Sequence, residues 1–113
     1  LTESLDLSNF DTSKVTNMSD MFYNSKLQTI DLSSFNTKNV KYMGSMFENS
    51  SNLKTIYASN NFDTSNVTSG SNIFKGCTSL VGGAGTTYNS GRVIKTYARI
   101  DGGTSSPGYF TLK

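Results

Sequence analysis

Few side chains in this sequence are suited to nucleophilic or acid–base chemistry. The 113 residues include eight Asp and Glu residues, one cysteine and no histidine. A reactive thiolate needs a nearby base or positive charge, and no imidazole is present to serve Cys77. Cys77 aligns with Ser50, a small residue inside an internal repeat, so we expect a buried and inert thiol. A single cysteine also excludes an internal disulfide and a cysteine-cluster zinc site.

The carboxylates also give little indication of catalysis or of a metal site. Asp6 and Asp31 occupy equivalent positions, and two neighbouring carboxylates are the minimum for a Ca²⁺ site or an acid–base pair. Two are too few for a confident site, so the sequence predicts no metal, no cofactor and no enzyme activity. Asp11 and Asp63, with Asn36 between them in the same column, are instead expected to accept hydrogen bonds from the backbone amides that follow.

The composition limits the class of protein further. Ser, Thr, Asn and Gly make up 54 residues, whereas Leu, Ile, Val and Phe make up 25. This apolar content is just above that of disordered chains, but the net charge is only +2, so the chain is expected to fold. The weak, dispersed positive charge predicts no nucleic-acid binding. The lack of a long apolar run predicts no membrane insertion of this segment.

An internal repeat organises the apolar residues. Residues 5–29, 30–55 and 56–83 superpose in eight apolar columns, with a spacing of 25 to 27 residues. This period is typical of leucine-rich repeats, and the segment Leu27-x-x-Ile30-x-Leu32 follows their local pattern.

Each repeat is expected to contain two kinds of element. Apolar alternation predicts a five-residue strand at Thr29–Ser33, with equivalents at Ser4–Ser8 and Thr55–Ser59, and strands of successive repeats should stack in parallel. Within residues 15–22, apolar side chains at i, i+3, i+6 and i+7 predict a short helix or a helix-like turn. The methionines of this stripe are expected in the core.

The sequence therefore predicts an α/β fold: a leucine-rich-repeat-like right-handed solenoid with short parallel strands on one face, short helices or turns on the other, and an irregular C-terminal cap. Residues 1–83 would hold the three repeats and residues 84–113 the cap, together forming a single structural domain. The segment 109–112 is expected to form a strand near the third repeat. The basic residues Arg92, Lys95 and Arg99 are expected to pack within the cap, and contact with an acidic partner is the alternative. The chain reads as a fragment of a longer protein with further repeats upstream.

The repeat sequence resembles that of a known family. LDLSNFDTSKVTNMSDMF, residues 5–22, and IDLSSFNTKNVKYMGSMF, residues 30–47, resemble the repeat of BspA-like bacterial surface proteins. The resemblance is close over residues 1–83, although the third repeat departs from it, with Gly70 in place of a methionine. It implies a leucine-rich-repeat-like solenoid, export to the bacterial cell surface, and adhesion to host proteins, mucosal surfaces or other bacteria. It carries over no binding residues.

Alternation along the predicted strands places three columns of side chains on the face away from the core. The columns are Ser4, Thr29 and Thr55; Asp6, Asp31 and Tyr57; and Ser8, Ser33 and Ser59. Solenoids commonly bind partners through their extended concave face, so these nine residues are the candidate binding site. Tyr57 is the most suggestive anchor. The alternative interpretation is a solvated sheet face whose polar side chains only maintain solubility.

The leading functional hypothesis is a non-catalytic, extracellular module of the bacterial cell surface that binds a host protein or glycan through this strand face. The alternative is a structural stalk or spacer that presents another domain. A carboxylate-dependent hydrolase is the third and weakest hypothesis.

Overall fold

Three short strands form one parallel sheet in the described part of the chain. The structure is a computed structural model, and it describes residues 7–113. Strand β1 comprises Thr29–Leu32, β2 Thr55–Ala58 and β3 Phe110–Leu112, in the spatial order β1-β2-β3. Both β1 and β2 begin where the sequence predicts strands, and each is one residue shorter than predicted. The strand predicted at Ser4–Ser8 falls mainly on residues outside the described part.

The repeat period sets the register of the sheet. Ile30 pairs with Ile56 and Leu32 with Ala58, so each residue of β1 lies beside its equivalent in the next repeat. These inward side chains are buried, because alternation directs one side of each strand towards the core. Phe110 of β3 continues the row next to Ile56. The C-terminal segment thus adds a third strand in the same register.

Turns form the other half of each repeat. The described residues contain no α-helix, and their one 3-10 helix, Lys95–Tyr97, belongs to the C-terminal segment. Asp20 and Asn24 have φ values of 60° and 55°. The equivalent residues of the next two repeats also have positive φ: Ser45, Asn49, Asn72 and Gly76. Left-handed residues four positions apart interrupt a right-handed helix, so the predicted helix does not form and the turns do.

Backbone hydrogen bonds join the turns of successive repeats. The N–H of Phe22 donates to the carbonyl of Met46 at 2.8 Å, and the N–H of Phe47 donates to that of Ile73 at 2.9 Å. Amides two and four residues away continue this ladder: those of Met18, Asp20 and Asn24 in the first repeat, and those of Met43, Ser45 and Asn49 in the second. The ladder satisfies amide groups that a helix would have bonded internally.

A row of aromatic rings runs through the core. The rings of Phe22, Phe47 and Phe74 stack with centroids 5.6 Å apart at each step. Tyr109 of the C-terminal segment then meets Phe74 edge-on at 4.8 Å. Aromatic pairs of this kind add about 0.5–1.5 kcal/mol to the stabilisation that burial provides. The repeat column and the C-terminal segment therefore share one core.

Apolar side chains are exposed at the outer side of the first repeat. Met21 is 39% exposed and Phe10 is 54% exposed, whereas their equivalents Met46 and Phe35 are fully buried. The second repeat lies between two others, and the first lies at the end of the described stack. The expectation that the methionines are all core residues is therefore wrong for Met21.

The C-terminal segment closes the outer side of the third repeat. The N–H of Phe74 donates to the carbonyl of Val93 at 3.1 Å, and the N–H of Gly76 donates to the hydroxyl of Tyr88 at 3.1 Å. In the first and second repeats, the equivalent amides donate to carbonyls of the repeat that follows. In the third repeat, the C-terminal segment supplies the acceptors instead. Gly70 makes this approach possible, because a Cβ at this position would lie 2.9 Å from Cβ of Lys95. The departure from the repeat pattern at Gly70 thus has a packing reason.

Candidate functional site

The sheet brings several of the predicted site residues side by side on its outer face. Thr29 pairs with Thr55, and Asp31 pairs with Tyr57. All four side chains are exposed or half-buried. We call this surface, made of the outward residues of β1 to β3 and the residues directly after these strands, the strand face.

The remaining predicted site residues lie off the paired strands. Ser33 and Ser59 follow directly after β1 and β2 and are half-buried, whereas Ser8 is exposed in the first repeat. Ser4 and Asp6 lie outside the described residues, so the carboxylate pair of Asp6 and Asp31 is not described.

A lysine that sequence reasoning missed joins the strand face. Lys113 Nζ lies 2.5 Å from Asp31 Oδ2 and 5.3 Å from the centroid of the Tyr57 ring. Thr111 of β3 lies next to Tyr57 on the other side. The predicted strand at 109–112 was the signal for Thr111, but neither its direction nor its register could be predicted, so it did not place Lys113 beside Asp31.

Asp31 is held as a charged group. Burial opposes the charge, but hydrogen bonds from Lys113 and Ser33 outweigh burial and lower the pKa of Asp31. The hydrogen bond that Lys113 donates to the Asp31 carboxylate, together with the negative charge of that carboxylate, in turn raises the pKa of Lys113. The face is therefore a mixed surface with a carboxylate, an ammonium and an aromatic ring in contact.

A shallow polar cavity lies at the start of β1 and β2. Its volume is about 300 Å³, and it continues the strand face from Thr29 and Thr55. Its other walls are Gln28, Asn52, Lys54 and Ser79. The amide and hydroxyl groups among these walls can donate and accept hydrogen bonds, and Lys54 adds a positive charge, so the cavity can bind polar ligands.

The other residues singled out by the sequence have structural roles. Asp11, Asn36 and Asp63 each accept a hydrogen bond from the backbone N–H two residues later, at 2.8–3.0 Å, which confirms the expected capping of turns. Hydrogen bonds from Ser13 lower the pKa of Asp11, and those from Ser65 lower the pKa of Asp63.

The cysteine is buried, as expected. Cys77 is fully buried, and its thiol donates to the carbonyl of Phe47 at 3.0 Å. Ser50 makes the equivalent bond to the carbonyl of Phe22 at 2.9 Å. Burial raises the pKa of the Cys77 thiol to about 12, which opposes formation of a nucleophilic thiolate.

The basic cluster of the C-terminal segment is divided between packing and exposure. Arg99 Nε donates to the carbonyl of Pro107 at 2.8 Å, within the segment as expected, whereas Lys95 Nζ donates to the carbonyl of Val67 in the third repeat at 2.5 Å. Arg92 is exposed, and its guanidinium lies 5.8 Å from the centroid of the Tyr97 ring.

The described residues contain no group of three or more His, Cys, Asp and Glu side chains arranged to hold a metal ion. Over the same range, no helix has the length and apolar character needed to span a membrane.

Comparison with known proteins places the chain by family. No curated protein and no solved structure matches it. A family model described as "Mycoplasma protein of unknown function, DUF285" matches residues 2–106, which include the three repeats and most of the C-terminal segment. This protein therefore belongs to the DUF285 family.

Proposed function

We propose that this chain is a non-catalytic module of the bacterial cell surface that binds an extracellular protein or glycan through its strand face. The observation that carries the proposal is the contact of Asp31, Tyr57 and Lys113 on one outward surface. The Tyr57 ring offers an apolar contact of the type enriched in binding hot spots, and the flanking charges offer directional polar contacts. The adjoining polar cavity enlarges the area available to a partner.

The proposed architecture is the leucine-rich-repeat-like right-handed solenoid that the BspA-like repeat implies. Its support is the parallel register between β1 and β2 and the ladder of hydrogen bonds between turns. Each repeat uses its neighbour to complete its own core and hydrogen bonds, as repeats of a solenoid do.

We also propose that further repeats precede the first one in the assembled protein. Four carbonyls of the second repeat accept the ladder hydrogen bonds donated by amides of the first repeat: those of Tyr42, Gly44, Met46 and Glu48. Within residues 7–113, the equivalent carbonyls of the first repeat accept no hydrogen bond: those of Asn17, Ser19, Met21 and Tyr23. An apolar cavity of about 330 Å³ between Phe10 and Met21 lies on the same side. A preceding repeat would fill this cavity and supply the missing amides.

The alternative function is a stalk or spacer that presents another domain. The hydrogen-bond ladder between turns favours it, because the ladder would hold successive repeats in a rigid arrangement. In-frame deletion of residues 30–55 in the surface protein separates the two functions. A spacer retains binding after the deletion, whereas a binding array loses it, because the deletion removes Asp31 and β1.

Binding through the strand face is tested with substitutions that leave the core intact. The double variant Asp31→Ala/Tyr57→Ala is compared with Tyr42→Ala, a control that removes an exposed tyrosine from the turns. The probes are immobilised mucin and fibronectin, and thermal unfolding verifies that each variant is folded. We expect the double variant to lose at least tenfold in affinity and the control to retain it. Unchanged binding of the double variant would exclude the strand face as the binding surface.

A further inference from the structure

The loop of residues 84–92 is held in place by two buried side chains that bind its backbone. Asp101 is only 9% exposed, and its carboxylate accepts hydrogen bonds from the amides of Ala84 and Thr86 at 2.9 and 3.0 Å. The hydroxyl of Thr86 also donates to Asp101, at 2.7 Å. A carboxylate saturated with donors in this way fixes the start of the loop.

Tyr109 fixes the other end of the loop. Its side chain is fully buried, and its hydroxyl donates to the carbonyl of Arg92 at 2.7 Å. The same hydroxyl accepts from the N–H of Asn89 at 3.2 Å. The turn that carries Arg92 is therefore pinned on both sides, so its exposed side chains project from a fixed backbone. Such preorganisation lowers the cost of ordering a site when a ligand binds.

A cavity of about 340 Å³ opens between this loop and the residues that follow Asp101. Its walls include Thr87, Tyr88, Asn89, Arg92, Thr104 and Pro107. The volume is at the lower end of the range for small-molecule sites, which suits a ligand the size of one sugar ring. The half-buried Tyr88 and Pro107 offer apolar surface, while the threonine and asparagine side chains offer hydrogen bonds.

Arg92 supplies the only full charge among these walls. No carboxylate of the described residues forms an ion pair with it, and its guanidinium makes no hydrogen bond within that part of the chain. The other two basic residues of this segment, Lys95 and Arg99, donate hydrogen bonds to backbone carbonyls. A planar guanidinium with free donors matches a carboxylate in a bidentate arrangement.

We propose that this cavity is a second binding site, specific for a sugar that carries a carboxylate. Arg92 binds the carboxylate, Thr87, Asn89 and Thr104 bind ring hydroxyls, and Tyr88 and Pro107 pack against the apolar face of the ring. The site shares no residue with the strand face, so it does not depend on the function proposed for that face.

Titration of the chain with the methyl glycoside of N-acetylneuraminic acid, followed by amide NMR shifts, tests the proposal. The sugars to compare are glucuronate and neutral N-acetylglucosamine. We expect both acidic sugars to shift the amides of residues 84–92 and 103–107, and the neutral sugar to bind at least tenfold more weakly. No binding at millimolar concentration, equal binding of the neutral sugar, or shifts confined to other residues would overturn the proposal.

Substitutions then test the role of the guanidinium. Arg92→Gln should reduce affinity for the acidic sugars at least tenfold, and Arg92→Lys should reduce it less, because an ammonium retains the charge without the planar fork. Lys14→Gln, which removes an exposed charge from the first repeat, is the matched control and should bind as the unaltered chain does. Equal affinity of Arg92→Gln and the control would refute a carboxylate site. A short peptide that competes through its free C-terminal carboxylate as well as the sugars do would refute the specificity for sugar.

Discussion

Lys113 Nζ contacts Asp31 Oδ2 at 2.5 Å, although the two residues are 82 positions apart in the chain. The contact spans all three strands, because Asp31 lies on β1 and Lys113 directly follows β3. It ties the C-terminal segment to the strand face and places the ammonium beside the Tyr57 ring. The charge of the proposed binding surface is therefore set jointly by a repeat and by the C-terminal segment.

The ion pair predicts a coupled titration. Lys113→Ala should raise the pKa of Asp31, and Asp31→Asn should lower the pKa of Lys113, because each loses its partner. Asp31 has a lowered pKa when folded, so its contribution to stability is present above pH 3.8 and is lost as pH falls through the folded pKa. Lys113 has a raised pKa, so its contribution is present below pH 10.5 and is lost as pH rises through the folded pKa.

Carboxyl-carbon and ammonium NMR titrations measure both pKa values. Lys54→Ala, which removes an exposed lysine that forms no described ion pair, is the control and should leave the titration of Asp31 in place. An Asp31 pKa that does not respond to Lys113→Ala would mean that the pair is not formed in solution.

Protonation or replacement of Asp101 should weaken the C-terminal segment. Burial raises its pKa, but hydrogen bonds from Thr86, Gly103 and Ala84 outweigh burial and lower it to about 2. The lowered pKa predicts about 2 kcal/mol of stability that is present above pH 3.8 and is lost as pH falls through 2. Asp101→Asn should cost about 3 kcal/mol, because an amide cannot accept from all of these donors.

Urea unfolding as a function of pH measures this contribution. Asp63→Asn is the matched control, because the equivalent position of the second repeat is already Asn36 with the same hydrogen bond to the amide two residues later. The control should change the free energy of unfolding by less than about 0.5 kcal/mol. Equal stabilities of the two variants would contradict the anchoring role of Asp101.

Cys77 should be unreactive until the chain unfolds. Its burial and its pKa of about 12 predict that a disulfide reagent at pH 8 modifies it at least a hundredfold more slowly in the folded protein than in guanidinium chloride. Cys77→Ser should be tolerated, with a loss below about 1 kcal/mol, because Ser50 makes the equivalent hydrogen bond. Rapid labelling under native conditions would show that this part of the core opens.

Asn24 should tolerate glycine better than any β-branched residue. Its φ is 55°, its side chain is exposed, and its N–H donates to the carbonyl of Glu48. Asn24→Val should cost about 1–2 kcal/mol, because a β-branched side chain is strained in the left-handed region, whereas Asn24→Gly should stay within about 0.5 kcal/mol. Chemical denaturation of both variants checks this, and a similar cost for the two would argue against the left-handed turn.

The sequence by itself determined where the strands and much of the core lie. Alternation at Ile30 and Leu32, repeated at Ile56 and Ala58, was enough to predict β1, β2 and their outward neighbours, because residues at one repeat spacing must occupy equivalent environments. The alignment of the repeats also predicted that the Cys77 thiol is buried, because Cys77 occupies the position of Ser50 in the preceding repeat.

Tertiary structure decided the rest. The apolar spacing in residues 15–22 suits a helix, but the amides there bond to the next repeat, and the left-handed Asp20 and Asn24 make the turn that permits this. The repeat that contains Asp31 also does not predict that Lys113 lies beside it. Lys113 reaches it only because the C-terminal segment forms a strand in register with the repeats, and such a contact between distant residues has no local signal in the sequence.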